Sequence, residues 1–217
     1  HLAMQAGKKR FGYTTTDEIY ILGKNIYTSD CTGPKSTQVE MHVPLVDFAV
    51  LECARGGLLR SGLAFDRCDI SIVTNVSADH LGLKDINTLE EMARVKSVVP
   101  RSTSHEGYAI LNADDDLVYG MEREHDCRIA LFSSNQDSGR VSSHCRDGGL
   151  AAITENGYFT VIHGKWRTRV ARIEDVPLTI GGRADSMIKN VLPALLAAWV
   201  CGWDRDSIRE ALLTFRP

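Results

Sequence analysis

The chain has 217 residues, room for one large domain or one domain with an appendage. Hydrophobic residues make up 43% and charged residues 24%, and a formal net charge of −3 with no basic block or acidic tail argues against a nucleic-acid partner and against disorder. Apolar runs reach strand length only, short of the ~20 residues that span a bilayer, and no signal peptide opens the chain, so a cytoplasmic protein with no membrane role is expected.

In chain order, residues 1–7 read as the last turns of a helix with Gly7 as its C-cap. Residues 9–14 read as a strand, and 19–22 with 26–28 as a small hairpin around Gly23-Lys24. Residues 34–42 fit a short helix opened by Pro34. Residues 47–52 and 69–74 read as buried strands, apolar on both faces. Residues 88–99 form a helix with Thr88 and Glu91 as a capping box, ended by Pro100. Strands at 108–111 and 128–132 flank a helix at 115–124. This alternation predicts an α/β fold, a mostly parallel sheet flanked by helices.

Residues 133–140 are polar and read as a loop. From 141 to 172, short strands separated by Asp147-Gly148-Gly149, Asn156-Gly157 and Gly164-Lys165 predict a small antiparallel β appendage. Residues 185–199 carry Met187, Ile188, Val191, Leu192, Leu195 and Leu196 at helical spacing, with Pro193 as a kink. Residues 204–215 form a last helix capped by Asp204. The six cysteines show no CxxC pair and read as reduced, buried thiols.

Chemistry concentrates at strand ends, where parallel α/β sheets bind ligands. Glu52 follows one apolar strand, and Ala54-Arg55-Gly56-Gly57 after it reads as a flexible turn able to approach an anion. Asp79-His80 follows the next strand by five residues, with Asn75 between, placed to reach a ligand or hold the loop. A neutral imidazole there suits a metal ion. Lys96 lies on the following helix and Asn190 on the penultimate one. For each, a plain structural role is the alternative: a surface carboxylate, a capping Asp, a solvated lysine, an Asn bonded to a nearby carbonyl. Asp114, Asp115 and Asp116 open a helix, where at least one acts as N-cap.

Together the segments TTTD, DCTGP, ECARGGLLRSGLAFD, CDISIVTNVSADHLGLKDI, ARVKSVV, LNADDDLVYGM and GRADSMIKNVLPALLAAW resemble the central domain of the Mur ligase family. The resemblance covers nearly the whole chain. It implies a P-loop-NTPase-like sheet, ATP and Mg2+ as cofactors, and an ATP-dependent amide ligase working through an acyl phosphate. It implies Glu52 as the carboxylate on the magnesium at the γ-phosphate, His80 as a ligand of a second magnesium, and Lys96 as a carbamylated lysine beside it. Asn190 would contact adenine with Asn75 also on the nucleotide side, but Met187 stands where the family often has a further Asn. Thr14, Thr15, Thr16, Arg55 and Arg60 fall where the acceptor approaches.

The ECARGG, VTN and LNADDD segments most resemble the branch of the family that adds arginine to a poly-aspartate backbone. The implied partners are an acidic polymer or another carboxylate acceptor, an amino acid, and the remaining domains of a parent chain, with a homo-oligomer left open. The family's glycine-rich phosphate loop would precede His1 and its C-terminal domain would follow Pro217. Residues 1–217 are therefore expected to be a central domain incomplete at its amino end, and inactive in isolation. A peptidoglycan-type ligase, or an isolated non-catalytic nucleotide-binding or scaffold module, are the alternatives.

Overall fold

The computed structural model describes residues 1–31, 33–78, 82, 86–124 and 126–216. A short helix α1 (Leu2–Gln5) leads into a four-stranded sheet ordered β3-β2-β1-β4. Its strands are β1 (Phe11–Thr14), β2 (Glu18–Ile21), β3 (Lys24–Thr28) and β4 (Phe48–Leu51). Leu22 and Gly23 join β2 to β3, both with positive φ, as a tight hairpin turn requires. Helix α2 (Pro34–Met41) connects β3 to β4, which runs parallel to β1. After α3 (Arg55–Ser61) comes a second sheet of six strands.

That sheet runs β10-β9-β8-β7-β6-β5, with β5 (Cys68–Val73), β6 (Thr103–Asn112), β7 (Arg128–Ser133) and β8 (Leu150–Glu155) parallel. β9 (Tyr158–His163) and β10 (Trp166–Arg172) extend it antiparallel. Between β5 and β8 lie α4 (Leu89–Lys96), α5 (Val98–Arg101), α6 (Asp116–Gly120) and α7 (Gly139–Arg146). Ile110, Ala130 and Phe132 face α8 (Asp185–Val200) and α9 (Arg205–Thr214), packing on Leu192, Leu195, Leu196 and Ile208. The alternate residues Ala109, Leu111 and Leu131 face the opposite way, onto Met92, Val118 and Val141. A parallel sheet covered on both faces needs this two-sided apolar pattern.

Several expectations from sequence are revised. The antiparallel strands after residue 141 are present, and Asn156 and Gly157 turn between two of them with positive φ. They extend the main sheet through β8, which pairs with β7, and residues 139–146 are helical where a strand was expected. The expected buried strands at 47–52 and 69–74 fall in different sheets, each as the last strand. Hence Val50 and Ile72 are 51% and 39% exposed instead of covered on both sides. Pro100 does not end the helix begun at Thr88; the break comes at Ser97 and Pro100 sits inside α5. Gly7 is not a left-handed cap, since Ala6 caps α1; a Cβ on Gly7 would lie 2.5 Å from the Trp203 ring, so close packing explains the glycine. Ala54-Arg55-Gly56-Gly57 is not an open turn, because Gly57 and Leu58 both donate to the Ala54 carbonyl and start α3.

One side chain breaks the core pattern. Glu40 of α2 is 0% exposed, and neither carboxylate oxygen has a hydrogen bond. Gly12 makes the space: a Cβ there would stand 2.7 Å from Glu40 Oε1. Burial pushes the Glu40 carboxyl up from 4.5 to about 7, and the nearby Val50 amide offsets only part of this. The folded state thus favours the protonated acid. Its contribution is fully present below pH 4.5 and is lost as pH rises through about 7. Thermal unfolding at pH 5 and pH 8 checks this. The wild-type chain is expected to lose on the order of 3 kcal/mol over that interval, and Glu40→Gln to lose much less. An unchanged pH slope in Glu40→Gln would contradict it.

Candidate active site

The loop after β5 is held from three sides. Val76 N–H donates to Asp115 Oδ2 at 2.8 Å, the Asn112 side-chain amide donates to the Thr74 carbonyl at 2.7 Å, and Lys96 Nζ donates to the Asn75 carbonyl at 2.7 Å. Asp115 also caps α6, its Oδ1 accepting from Leu117 and Val118 at 3.0 Å each. Its neighbour Asp114 accepts from Ser134 N–H at 2.8 Å and from the Ser133 and Ser134 hydroxyls, tying down the end of β7. The carboxylate cluster thus fixes strand ends to one another.

Glu52 stands at the corresponding end of β4. Thr16 clamps it: the Thr16 N–H donates to Oε2 at 2.9 Å and its hydroxyl to Oε1 at 3.0 Å. The Glu52 N–H in turn reaches the Thr14 carbonyl at 3.0 Å. Thr15 closes the turn between them, its hydroxyl accepting from Asp17 and Glu18 N–H groups. Glu52, Asn75, Ser77 and Lys96 line one cavity of about 680 Å³ between β4 and β5. Cys53 lines it too; burial, with smaller additions from Cys68 and Glu52, pushes its thiol up to about 11, which disfavours the thiolate at neutral pH.

The structure therefore brings together Glu52, Asn75, Lys96, Thr16 and Arg55, the last half-buried at the start of α3. It does not bring in Thr14, which is 1% exposed with its hydroxyl buried and unpaired. Arg60 is exposed on the last turn of α3 and does not line the cavity. Asn190 is exposed on α8, so it carries no burial penalty, and lies about 10 Å along the helix from Ala197, which does line the cavity. Asp79 and His80 lie outside the described residues. Among the described residues no three His, Cys, Asp or Glu side chains gather to hold a metal ion. A hard, clamped carboxylate at Glu52 nonetheless fits a Mg2+ ligand in donor chemistry. An uncharged or anionic oxygen at position 96 would fit as well, but an ammonium would not.

With that geometry in place, comparison with known proteins decides the family. The model of the Mur ligase middle domain matches residues 1–198. The chain belongs to the Mur ligase family. It is 49% identical over 216 residues to a cyanophycin synthetase of Crocosphaera subtropica, covering 100% of this chain and 25% of that relative. It is 30% identical over 194 residues to a UDP-N-acetylmuramoylalanine–D-glutamate ligase of Symbiobacterium thermophilum, covering 89% of this chain and 39% of that protein. Among solved structures, UDP-N-acetylmuramate:L-alanyl-gamma-D-glutamyl-meso-diaminopimelate ligase from Neisseria meningitides superposes with a TM-score of 0.59 at 19% identity, covering 100% of this chain and 61% of that one. That likeness supports the α/β fold. The Mur ligase domain here spans about a quarter of the length of the cyanophycin synthetases it matches.

Sequence reasoning missed Thr16 as the clamp on Glu52 and Asn112 as an anchor of the loop after β5. No spacing rule announces either, since both pairs are far apart in sequence. Asp115→Ala removes an N-cap and a loop anchor together, an expected loss of about 1–3 kcal/mol in denaturant unfolding. Faster hydrogen exchange at Val76 should accompany it. Unchanged exchange at Val76 would contradict the anchoring role.

Proposed function

We propose that this domain is the ATP-binding centre of an amide ligase that activates a carboxylate as an acyl phosphate and joins it to an amine. The carrying observation is Glu52, presented by β4 with Thr16 setting both of its oxygens, beside a loop held by Asp115, Asn112 and Lys96. The acceptor is a poly-aspartate side chain and the amine is arginine. The identity near one half to cyanophycin synthetases, against 30% to a D-glutamate ligase, supports that choice over a peptidoglycan substrate. Residues 1–217 are read as the central domain alone, with further domains of a parent protein completing the enzyme.

When bound, magnesium would supply neutralisation of the phosphate and carboxylate charge. Glu52 would hold one ion through an oxygen whose orientation Thr16 fixes. As an ammonium, Lys96 only donates to the Asn75 carbonyl. Addition of CO2 to its neutral amine, with loss of one proton, would make a carbamate whose oxygens suit a second ion, with its N–H still able to serve Asn75. His80 would share that ion, and Asn75 and Asn190 would face the nucleotide. Arg55, at the cavity, is better placed than Arg60 to meet an acidic acceptor, and Thr15 with Thr16 forms the turn beside it.

The parent protein is expected to incorporate arginine into a poly-aspartate primer in an ATP-dependent assay. Glu52→Gln should lower that rate by about 100-fold or more with little change in melting temperature. Consumption of a nucleotide-sugar peptide without arginine incorporation would overturn the substrate choice. Absence of any ATP-dependent ligation would favour a non-catalytic module. Lys96→Arg, which cannot be carbamylated, should be inactive; full activity in that variant would remove the carbamate from the account.

A further inference from the structure

The far edge of the six-stranded sheet carries a second cavity, of about 300 Å³, between β10 and the start of α9. Four exposed arginines line it: Arg169 and Arg172 from β10, and Arg205 and Arg209 one turn apart on α9. In a regular strand residues 169 and 172 would point to opposite faces. A bulge changes that. Arg169 pairs with Thr160 and Ala171 with Phe159, so Val170 is the extra residue. Val170 and Ala171 both turn into the core, which brings Arg169 and Arg172 to one face and over one ring. Their guanidinium carbons stand 5.0 and 5.6 Å from the Tyr158 ring centre. Stacking on a ring holds a guanidinium in place and leaves its N–H groups free for a ligand.

Charges and a bulge also guard a strand edge. A guard has no need to converge with a second element, and these arginines do. Arg172 pairs with Glu174 at 2.7 Å and Arg205 with Asp206 at 2.8 Å. Among the described residues no carboxylate pairs with Arg169 or Arg209, one on each wall of the cavity. The N-terminus of α9 would be a ready phosphate cradle, but Asp204 already closes it, accepting from the Ser207 N–H at 2.9 Å. Recognition falls to two guanidinium forks, whose planar shape matches carboxylates. Forks on facing walls suit a ligand with several carboxylates in succession. We propose that this cavity holds side-chain carboxylates of the poly-aspartate acceptor, through Arg169 and Arg209, at a point distant from where that polymer reacts. The choice of polymer rests on the ligase reading; the anion site does not. Strand pairing carries Val73 of β5 across the sheet to Arg167 of β10, which runs the same way. Arg169 therefore lies two residues further along, at the sheet end that bears Asn75. Five strand spacings of about 4.8 Å separate β5 from β10, roughly 24 Å. At about 3.4 Å per residue, a polymer needs at least about eight residues to occupy both places.

The parent protein tests this with poly-aspartate primers of about four and about twenty residues. Without ATP, the longer primer should shield Arg169 and Arg209 from phenylglyoxal, read by mass spectrometry. In ligation, Arg169→Ala combined with Arg209→Ala should raise KM for the longer primer by about tenfold or more. Its kcat, its KM for the shorter primer and its melting temperature should stay unchanged. Arg146→Ala, at an exposed arginine of a separate cavity, should change none of these. An equal rise in KM there would mean general charge attraction and overturn the proposal. So would an unchanged KM for the longer primer in the double variant. Equal shielding by inorganic phosphate would give the site to a small anion and overturn the polymer. Shielding by the longer primer in a parent protein that ligates no arginine would fault the ligase reading alone; absent shielding in an active enzyme would fault the site alone.

Discussion

One carboxylate, Asp115, accepts three backbone N–H groups at once: Val76 from the loop after β5, and Leu117 and Val118 from its own helix. Charge-assisted bonds of this kind are shorter and stronger than neutral ones. Because the helix begins where the loop ends its approach, neither can move without breaking the other's bonds. Lys96 and Asn112 close the remaining sides through the carbonyls of Asn75 and Thr74. A loop with four consecutive residues, 74–77, beside a strand end would otherwise be free to wander. Its fixed position makes a site at this end of the sheet possible.

Glu52 answers it from the other sheet. Its clamp by Thr16 belongs to the turn that links β1 to β2, so the small sheet orients the carboxylate and the large sheet orients the loop. The cavity between β4 and β5 lies between them, lined from one side by Glu52 and from the other by Asn75 and Lys96. The buried Glu40 beneath β1 adds a pH-sensitive weakness to the small sheet, since its protonated form is the one the fold prefers.

Much of this was legible in sequence. The alternation of strands at 108–111 and 128–132 with a helix between announced a parallel sheet, the Thr88–Glu91 capping box formed as written, and Asn156-Gly157 turned as its chemistry demands. Glu52, Asn75 and Lys96 were found from strand ends and from family resemblance, and the structure brings them to one cavity. Other features needed three dimensions. A turn signal shows that strands are antiparallel but not which sheet they join, so β8–β10 read as an appendage. A glycine pair reads as a loop, although helix α3 tolerates Gly56 and Gly57 where Ala54 can accept their turn's first bonds. Thr14 reads as one of three threonines near a substrate, but strand alternation turns it inward while Thr16 reaches Glu52.

The account rests on Glu52 as a metal ligand at the cavity. Anomalous diffraction from crystals of the parent protein with Mn2+ in place of Mg2+ and a non-hydrolysable ATP analogue tests that most directly. The predicted result is an ion about 2.1 Å from a Glu52 oxygen, beside the loop carrying Asn75. An ion bound elsewhere, with Glu52 still closed on Thr16 alone, would contradict it.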